Sequence, residues 1–363
     1  MSLIHKIGLT LIKSVGHVHA KKLLDHFGSA EAIFKAKKKQ LMEINGIGIA
    51  ISSLILDSNA LEEAKKQISF IKKHNIKVLF YTDKDYPQRL KHCPDAPVLL
   101  YYKGNADLNH SRIISVVGTR CATSYGRQLC RQLAETLAPY NVIIVSGLAY
   151  GIDVASHKES LQQNIPTIGV IAHGLDRIYP HLHKDVAQKM VLNGGLLTEF
   201  LPGTNPDKEN FPKRNRIIAG LSDATVVVEA ALKGGALITA DIANSYDRDV
   251  FAFPGRTNDP YSEGCNFLIK TNRAALINHP RDLLYYLGWD DVLPEKEMRQ
   301  LGLALNLSKE EQHIVTVLGD VELSVDQLAL CSGISQSKLA LHLLNLEMQG
   351  ILVALPGKIY KLN

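Results

Sequence analysis

Residues 113–126, IISVVGTRCATSYG, decide the fold. The run 113–117 is apolar, stops at Gly118, and leads through a short polar loop to a helix start near Ser124. An apolar run closed by glycine is how the first strand of a buried parallel sheet reads. Gly118 is expected to let the backbone turn sharply where a side chain would block it. Ligands of open α/β sheets lie outside the carboxyl ends of the strands, where Thr119 and Arg120 fall. A dinucleotide loop would show G-x-G-x-x-G here, and a P-loop would show a lysine; this stretch has one Gly, then Thr and Arg. The expectation is a sheet mouth that holds phosphate by charge, without nucleotide chemistry and without a cofactor.

Downstream, strands are predicted at 141–146, 166–171, 195–199, 224–229, 249–253 and 274–277. Helices are predicted at about 124–138, 152–163, 183–193, 213–221, 235–246, 263–270 and 280–287. This alternation predicts a doubly wound, mostly parallel sheet with crossover helices. Right-handed crossovers put all the strand ends on one edge. There GTR, SGLAYGID, AHGLD and VEAALKGG form a composite mouth, with Ser146 and Gly147 ending their strand as Gly118 and Thr119 end the first. Upstream, residues 78–82 and 97–104 are rich in β-formers and are expected to extend the same sheet.

One segment, FPKRNRIIAG (211–220), brings unusual charge to that mouth. Pro212 fits a helix start, which puts Lys213, Arg214 and Arg216 in the first turn. Cations there oppose the helix dipole, so the sequence is read as presenting cations and free amides together to one anion. The competing reading pairs each arginine with a carboxylate such as Asp153 or Glu229. Phe211 stacks on a base or serves as a hydrophobic staple.

The ends have their own texture. Residues 14–27 and 44–56 each place a Gly-containing turn before an amphipathic helix, and resemble tandem helix-hairpin-helix motifs. Lys21 and Lys22 lie at the first hairpin, while no basic residue is expected near the second. Such a segment contacts phosphate or serves only for packing or a partner. Residues 291–306 read as a polar linker around Pro294. Residues 307–363 read as a winged helix: a capping box at Ser308 and Glu311, helix–Gly–helix, and a hairpin turning at Pro356-Gly357. The reading helix offers Ser335, Gln336, Ser337, Lys338, His342 and Asn345 but no arginine. The boundaries expected are therefore 1–75, 76–290, 291–306 and 307–363.

Charge is uneven along the 363 residues. Residues 1–110 hold 17 Lys and Arg against 10 Asp and Glu, and residues 111–290 hold 18 against 17. Residues 307–363 hold 4 against 6, which argues against uniform nucleic-acid binding and against sequence-specific reading by the winged helix. No apolar run spans a bilayer, and the first residues make a poor signal peptide. Five cysteines without a C-x-x-C pair point to reduced thiols in a cytoplasm and away from zinc.

The middle of the chain resembles the DNA-processing protein A family (DprA, also called Smf). The matching residues are VVGTR (116–120) with YG (125–126), SGLAYGID (146–153) with His157, HGLDRIYP (173–180), TEF (198–200), FPKRNRIIAGLS (211–222), VVEA (227–230) with GGALITA (234–240), FAFPG (251–255) and GCNFLI (264–269). The resemblance implies an extended Rossmann-like domain between a helical helix-hairpin-helix-like domain and a winged helix. It implies a non-enzymatic mediator of natural transformation that binds single-stranded DNA as a homodimer. Such a protein loads the RecA recombinase on incoming DNA, including DNA covered by single-strand-binding protein. The family's DNA-binding positions fall on Arg120, Lys213, Arg214 and Arg216. With the rest of the mouth, the candidate DNA site is Gly118, Thr119, Arg120, Ser146, Gly147, Phe211, Lys213, Arg214, Asn215 and Arg216. Three departures stand out: Tyr150 where many members have Arg, Gly234 where many have Ser, and KTNRAALI after GCNFLI.

Two other functions compete. Asp153, His157 and Glu229 lie near the same mouth, and VEAALKGG resembles the site of Rossmann-like nucleoside-monophosphate phosphoribohydrolases, although there the Gly pair precedes the catalytic Glu. On the binding reading Asp153 and Glu229 instead orient arginines or cap helices. The third function is a sequence-specific regulator acting through the winged helix.

Overall fold

The run 113–117 forms an interior strand of a nine-stranded sheet, and every one of its residues is buried. The computed structural model describes residues 2–57, 59–289, 307–319, 321–349, 351–355 and 358–362. The chain divides into two units, Met1–Leu293 and Pro294–Asn363. The expected linker 291–306 and the turn at Pro356-Gly357 lie outside the described residues.

In the first unit, six helices come first: α1 (Leu3–Leu11), α2 (His17–Phe27), α3 (Ala30–Lys35), α4 (Lys38–Met42), α5 (Ile49–Asp57) and α6 (Ala60–Lys73). Then follow β1 (Lys77–Phe80), α7 (Gln88–Lys91), β2 (Leu99–Gly104), β3 (Ile113–Val117), α8 (Ser124–Leu137), β4 (Ile143–Ser146), α9 (Ile152–Gln162) and β5 (Thr167–Val170). The unit continues with α10 (Lys184–Leu192), β6 (Gly194–Thr198), α11 (Asn210–Leu221), β7 (Ala224–Val227), α12 (Gly235–Ser245), β8 (Asp249–Ala252), α13 (Glu263–Lys270), β9 (Ala275–Leu276) and α14 (Arg281–Tyr286).

The strand order is β1-β2-β6-β5-β4-β3-β7-β8-β9. From β6 to β9 every pair is parallel, and β2 joins β6 antiparallel, with β1 antiparallel to β2. The two upstream strands therefore extend the sheet, but at its far edge. The chain winds outward from β3 through β4, β5 and β6, then returns to β3's other side as β7. Ligand crevices form where such an order reverses, outside the carboxyl ends of the strands.

Apolar side chains cover both faces, as a buried parallel sheet requires. Leu129, Leu133 and Leu137 of α8 pack with Ile114, Val116 and Leu283 on one face. Ile217, Ile218 and Leu221 of α11 pack with Val117, Val145 and Leu237 on the other. Thr123 starts α8 by accepting the Gly126 amide at 3.2 Å, which satisfies one of the free donors of the first turn.

The helical segment is not a separate body. Its core residues Ile7, Leu23, Ile33, Leu41 and Ile55 form one cluster with Phe80, Leu99 and Tyr101 of β1 and β2. Lys21 is used for this docking: its ammonium donates to the Pro94 carbonyl at 3.0 Å and lies 4.9 Å from the Tyr81 ring centre. The second hairpin does have cations beside it, against the sequence expectation. Lys22 donates to the Asn45 carbonyl at 3.0 Å, and Lys38 donates to Ser53 Oγ at 2.8 Å. Both come from elements other than the hairpin loop, so its local sequence did not disclose them.

The second unit contains α15 (Lys309–Leu318), β10 (Leu323–Ser324), α16 (Val325–Ser332), α17 (Gln336–Met348), β11 (Leu352–Leu355) and β12 (Ile359–Leu362). The capping box forms: the Glu311 amide donates to Ser308 Oγ at 3.2 Å, and the Ser308 amide to Glu311 Oε2 at 2.9 Å. The expected hairpin gains a third strand, giving the order β10-β12-β11. On α17, Leu341 (63 % exposed) and Met348 (81 %) face solvent, while Lys338 and His342 lie against Glu310.

Candidate nucleic-acid interface

A cavity of about 790 Å³ opens at the reversal point between β3 and β7. Its lining includes Thr119, Arg120, Asp153, Lys208, Phe211, Arg214, Lys233 and the Gly234-Gly235 start of α12. Four cations thus share the cavity with one carboxylate, Asp153.

The glycines explain how the wall closes. A Cβ at Gly118 would fall 2.5 Å from Ile152 Cγ1, so Gly118 is needed for the close approach of α9 rather than for a turn. Gly118 is not among the positive-φ residues. A Cβ at Gly147 would strike Arg214 Nη1 and lie 2.6 Å from Asp153 Oδ2. Gly147 therefore makes room for a guanidinium.

That guanidinium is the buried part of the site. Arg214 is only 4 % exposed, and its Nη1 donates to the carbonyls of Gly147 and Val170, at the ends of β4 and β5. Burial lowers its pKa to about 10, a shift opposed by Asp153, so it stays protonated at neutral pH. Burial in turn raises the Asp153 carboxyl, and Arg214 is the largest influence holding it down. Phe211 is near both cations: its ring centre is 5.5 Å from the Arg120 guanidinium carbon and 5.9 Å from that of Arg214. Both are cation–π distances. Tyr179 meets the same ring edge-on at 6.2 Å. Asn215 ties α11 to the start of α12 by donating to the Gly235 carbonyl at 3.3 Å.

Of the residues expected here, Gly118, Thr119, Arg120, Phe211, Arg214 and Asn215 line the cavity. Four do not. Ser146 is fully buried and donates to the Val116 carbonyl at 2.6 Å, so it is structural. Gly147 lies behind Arg214. Lys213 is exposed but does not line the cavity. Arg216 is turned away and donates to Glu199. The reason is helical geometry. Residues two apart on a helix point to different faces, so Arg214 and Arg216 do not share one anion. The helix also starts at Asn210, not Pro212, which moves these cations out of the first turn and away from the dipole's strongest region.

Sequence reasoning missed Lys208 and Lys233. Lys233 stood in the quoted VEAALKGG mouth segment, and Lys208 lies just ahead of the FPKRNR run. Tyr150 does not line the cavity; its ring meets His183 edge-on at 5.1 Å.

The acid–base candidates separate. Glu229 is buried and does not line the cavity. It accepts from the Thr123 amide at 3.0 Å and from Thr123 Oγ1, at the start of α8, where a carboxylate is favoured by the dipole. A side chain at Gly126 would strike this carboxylate. His157 is fully buried, with Nδ1 2.7 Å from Thr167 Oγ1, and burial pushes its pKa down to about 3. Asp153 alone of the three faces the cavity. Among the described residues no group of three or more His, Cys, Asp or Glu stands ready for a metal ion.

Fold and flanking modules together define a class: a doubly wound α/β domain joined to a helix-hairpin-helix domain before it and a winged helix after it. The family model for DNA recombination-mediator protein A matches residues 77–288, the DprA winged-helix model matches 301–358, and a helix-hairpin-helix model matches 8–68. The chain belongs to the DNA recombination-mediator protein A family. It is 33 % identical to Protein Smf of Synechocystis over 96 % of both chains. It is 38 % identical to Protein Smf of Escherichia coli, covering 77 % of this chain and 75 % of that one. The X-ray structure of DNA processing protein A from Streptococcus pneumoniae superposes with a TM-score of 0.61 at 31 % identity, over 78 % of this chain and 98 % of that one. The Helicobacter pylori protein, whose structure concerns its single-stranded-DNA binding mode, gives a TM-score of 0.54 at 31 % identity, over 59 % and 96 %.

Proposed function

We propose that this protein binds single-stranded DNA without strong sequence preference, as a homodimer. In this reading it loads the RecA recombinase on incoming DNA during natural transformation, in the cytoplasm. The observation that carries the binding step is the cavity at the sheet mouth, where Arg120, Lys208, Arg214 and Lys233 surround Phe211 and a single carboxylate. Cations hold a phosphate chain whatever its sequence, and an aromatic ring accepts any base. The dimer is supported by the size of the cavity, which grips a short length of strand; two linked grips raise effective concentration. Family membership supports the mediator role.

The reading is non-enzymatic and calls on no cofactor; of its acid–base competitors, Glu229 and His157 are engaged inside the fold. Incubation with nucleoside monophosphates is expected to release no free base, and release abolished by Asp153→Asn would restore the hydrolase reading.

The decisive experiment is titration of single-stranded DNA at several salt concentrations. Log affinity falls against log salt with a slope of about −0.7 per phosphate neutralised. Arg120→Ala is expected to weaken binding and flatten the slope by about 0.7. Unchanged affinity and slope would remove the site from this cavity. RecA-driven strand exchange on DNA coated with single-strand-binding protein tests the loading step, and no stimulation by the wild type would end it.

A further inference from the structure

α11 is held at the sheet mouth by two arginines that leave it in opposite directions. Arg214 reaches the carbonyls of Gly147 and Val170, just past β4 and at the end of β5. Arg216 reaches Glu199, the residue just past β6, and its Nε donates back to the Lys213 carbonyl at 3.0 Å. Both partners of that second tie are well covered, with side chains 13 % and 16 % exposed. Burial raises the Glu199 carboxyl, and Arg216 is the chief influence drawing it down. Thr198 fixes the strand end beside it, donating to the His173 carbonyl at 2.9 Å and accepting from the Phe200 amide at 3.1 Å. Arg216's charge also depresses His17 and Lys21 of α2, behind the larger effect of burial. The cavity face of α11 carries Phe211, Arg214, Asn215 and Ile218. A ligand-facing set on one side of a helix is only as well placed as the contacts on its other side.

We infer that Arg216 and Glu199 are positioning residues for the DNA site: they fix the rotation of α11, and through it Phe211 and Arg214, without touching DNA. This rests on the single-stranded-DNA reading of the cavity. A ligand role for Arg216 and a positioning role make opposite predictions at Glu199. If Arg216 gripped phosphate, removing the competing carboxylate would tighten DNA binding. If the pair positions α11, removing it loosens binding.

The test is single-stranded-DNA titration at several salt concentrations, well below the melting temperature, on Arg216→Gln, Arg216→Lys, Glu199→Gln and the control Arg120→Ala. Arg216→Gln and Glu199→Gln are each expected to lower affinity on the order of tenfold, the cost of ordering Phe211 and Arg214 during binding instead of before it. Their salt slopes stay at the wild-type value, and Arg216→Lys recovers part of the affinity. Arg120→Ala instead flattens the slope by about 0.7. Tighter binding by Glu199→Gln, a slope flattened by about 0.7 in Arg216→Gln, or wild-type affinity in both would each overturn the inference. Should the single variants fail to fold, the apolar pair Arg216→Met with Glu199→Leu decides, because replacing both partners of a buried pair keeps packing without a stranded charge. Wild-type slope with affinity within about threefold supports positioning, a difference small beside the tenfold unit; a flattened slope refutes it. A wild-type result for Arg120→Ala would be a failure of the site itself, read separately from the behaviour of Arg216.

Discussion

Gly147→Ala adds one methyl group where the site has no room. The new Cβ would strike Arg214 Nη1 and lie 2.6 Å from Asp153 Oδ2, against an ordinary contact of 3.4–4 Å. Both side chains are buried, so neither yields without losing contacts. Two responses are available. The wall shifts to keep the guanidinium, an overpacking cost of about 1–3 kcal/mol. Otherwise the guanidinium leaves and forfeits its bonds to Gly147 and Val170, roughly 1.5–3 kcal/mol for each bond from a charged donor. The two routes meet near about 3 kcal/mol, which is the expected loss in urea unfolding followed by circular dichroism. Single-stranded-DNA affinity should fall in parallel, since Phe211 and Arg214 share the cavity. The origin of the cost is tested by the cycle with Arg214→Met. Without a guanidinium the tighter of the two clashes is gone and only Asp153 must give, so the double variant should be less destabilised than the sum by about 2 kcal/mol. Strict additivity, or a single-variant loss under about 0.5 kcal/mol, would show that the guanidinium does not occupy the space beside Gly147.

His157 gives a pH signature. Its folded pKa of about 3 lies below the ordinary 6.5, so the unfolded chain takes up the proton first. Stability is full above pH 6.5 and is lost as pH falls toward 3, by about 2 kcal/mol at pH 5. His157→Gln should flatten the stability profile between pH 7 and pH 5, and an unaltered profile would refute the assignment. Of the five cysteines only Cys121 and Cys331 are exposed, so the native protein should react rapidly at two thiols. Burial raises the thiol pKa of Cys93, Cys130 and Cys265, and rapid reaction at a third site would contradict that packing. A chain of residues 76–289 should melt well below one of residues 1–289, because it uncovers Phe80, Leu99 and Tyr101; equal melting would show the helices to be dispensable.

The strands and crossover helices were legible because apolar runs bounded by Gly and Pro report directly on burial. Gly118 was found for the wrong reason: its neighbour Ile152 comes from 34 residues downstream, and no local pattern signals that approach. The face of Arg216 was legible in principle from the i, i+2 spacing of RNR, since both arginines fall within the helix expected at 213–221 and found from Asn210. Lys22 and Lys38 at the second hairpin were not, because tertiary packing alone brings them there. The boundary drawn at 75/76 followed a change in texture, yet the core runs through it, since β1 and β2 bury one face against the helices.

Strand β3 also sets a timetable for synthesis. Ile114 of β3 pairs with Ile144 of β4 on one side and with Ala224 of β7 on the other. The first partner follows within some thirty residues of chain and the second only after 110. At a ribosomal pace of roughly 5–20 residues per second, β3 waits about 5–20 s for β7. Throughout that interval β3, buried along its whole length in the finished sheet, is an open edge, and strand edges of this kind recruit other chains. The nascent protein is therefore most exposed to misassociation while residues 118–223 are being made. A substitution that slows the delivery of β7 would lower soluble yield without altering the stability of the finished fold.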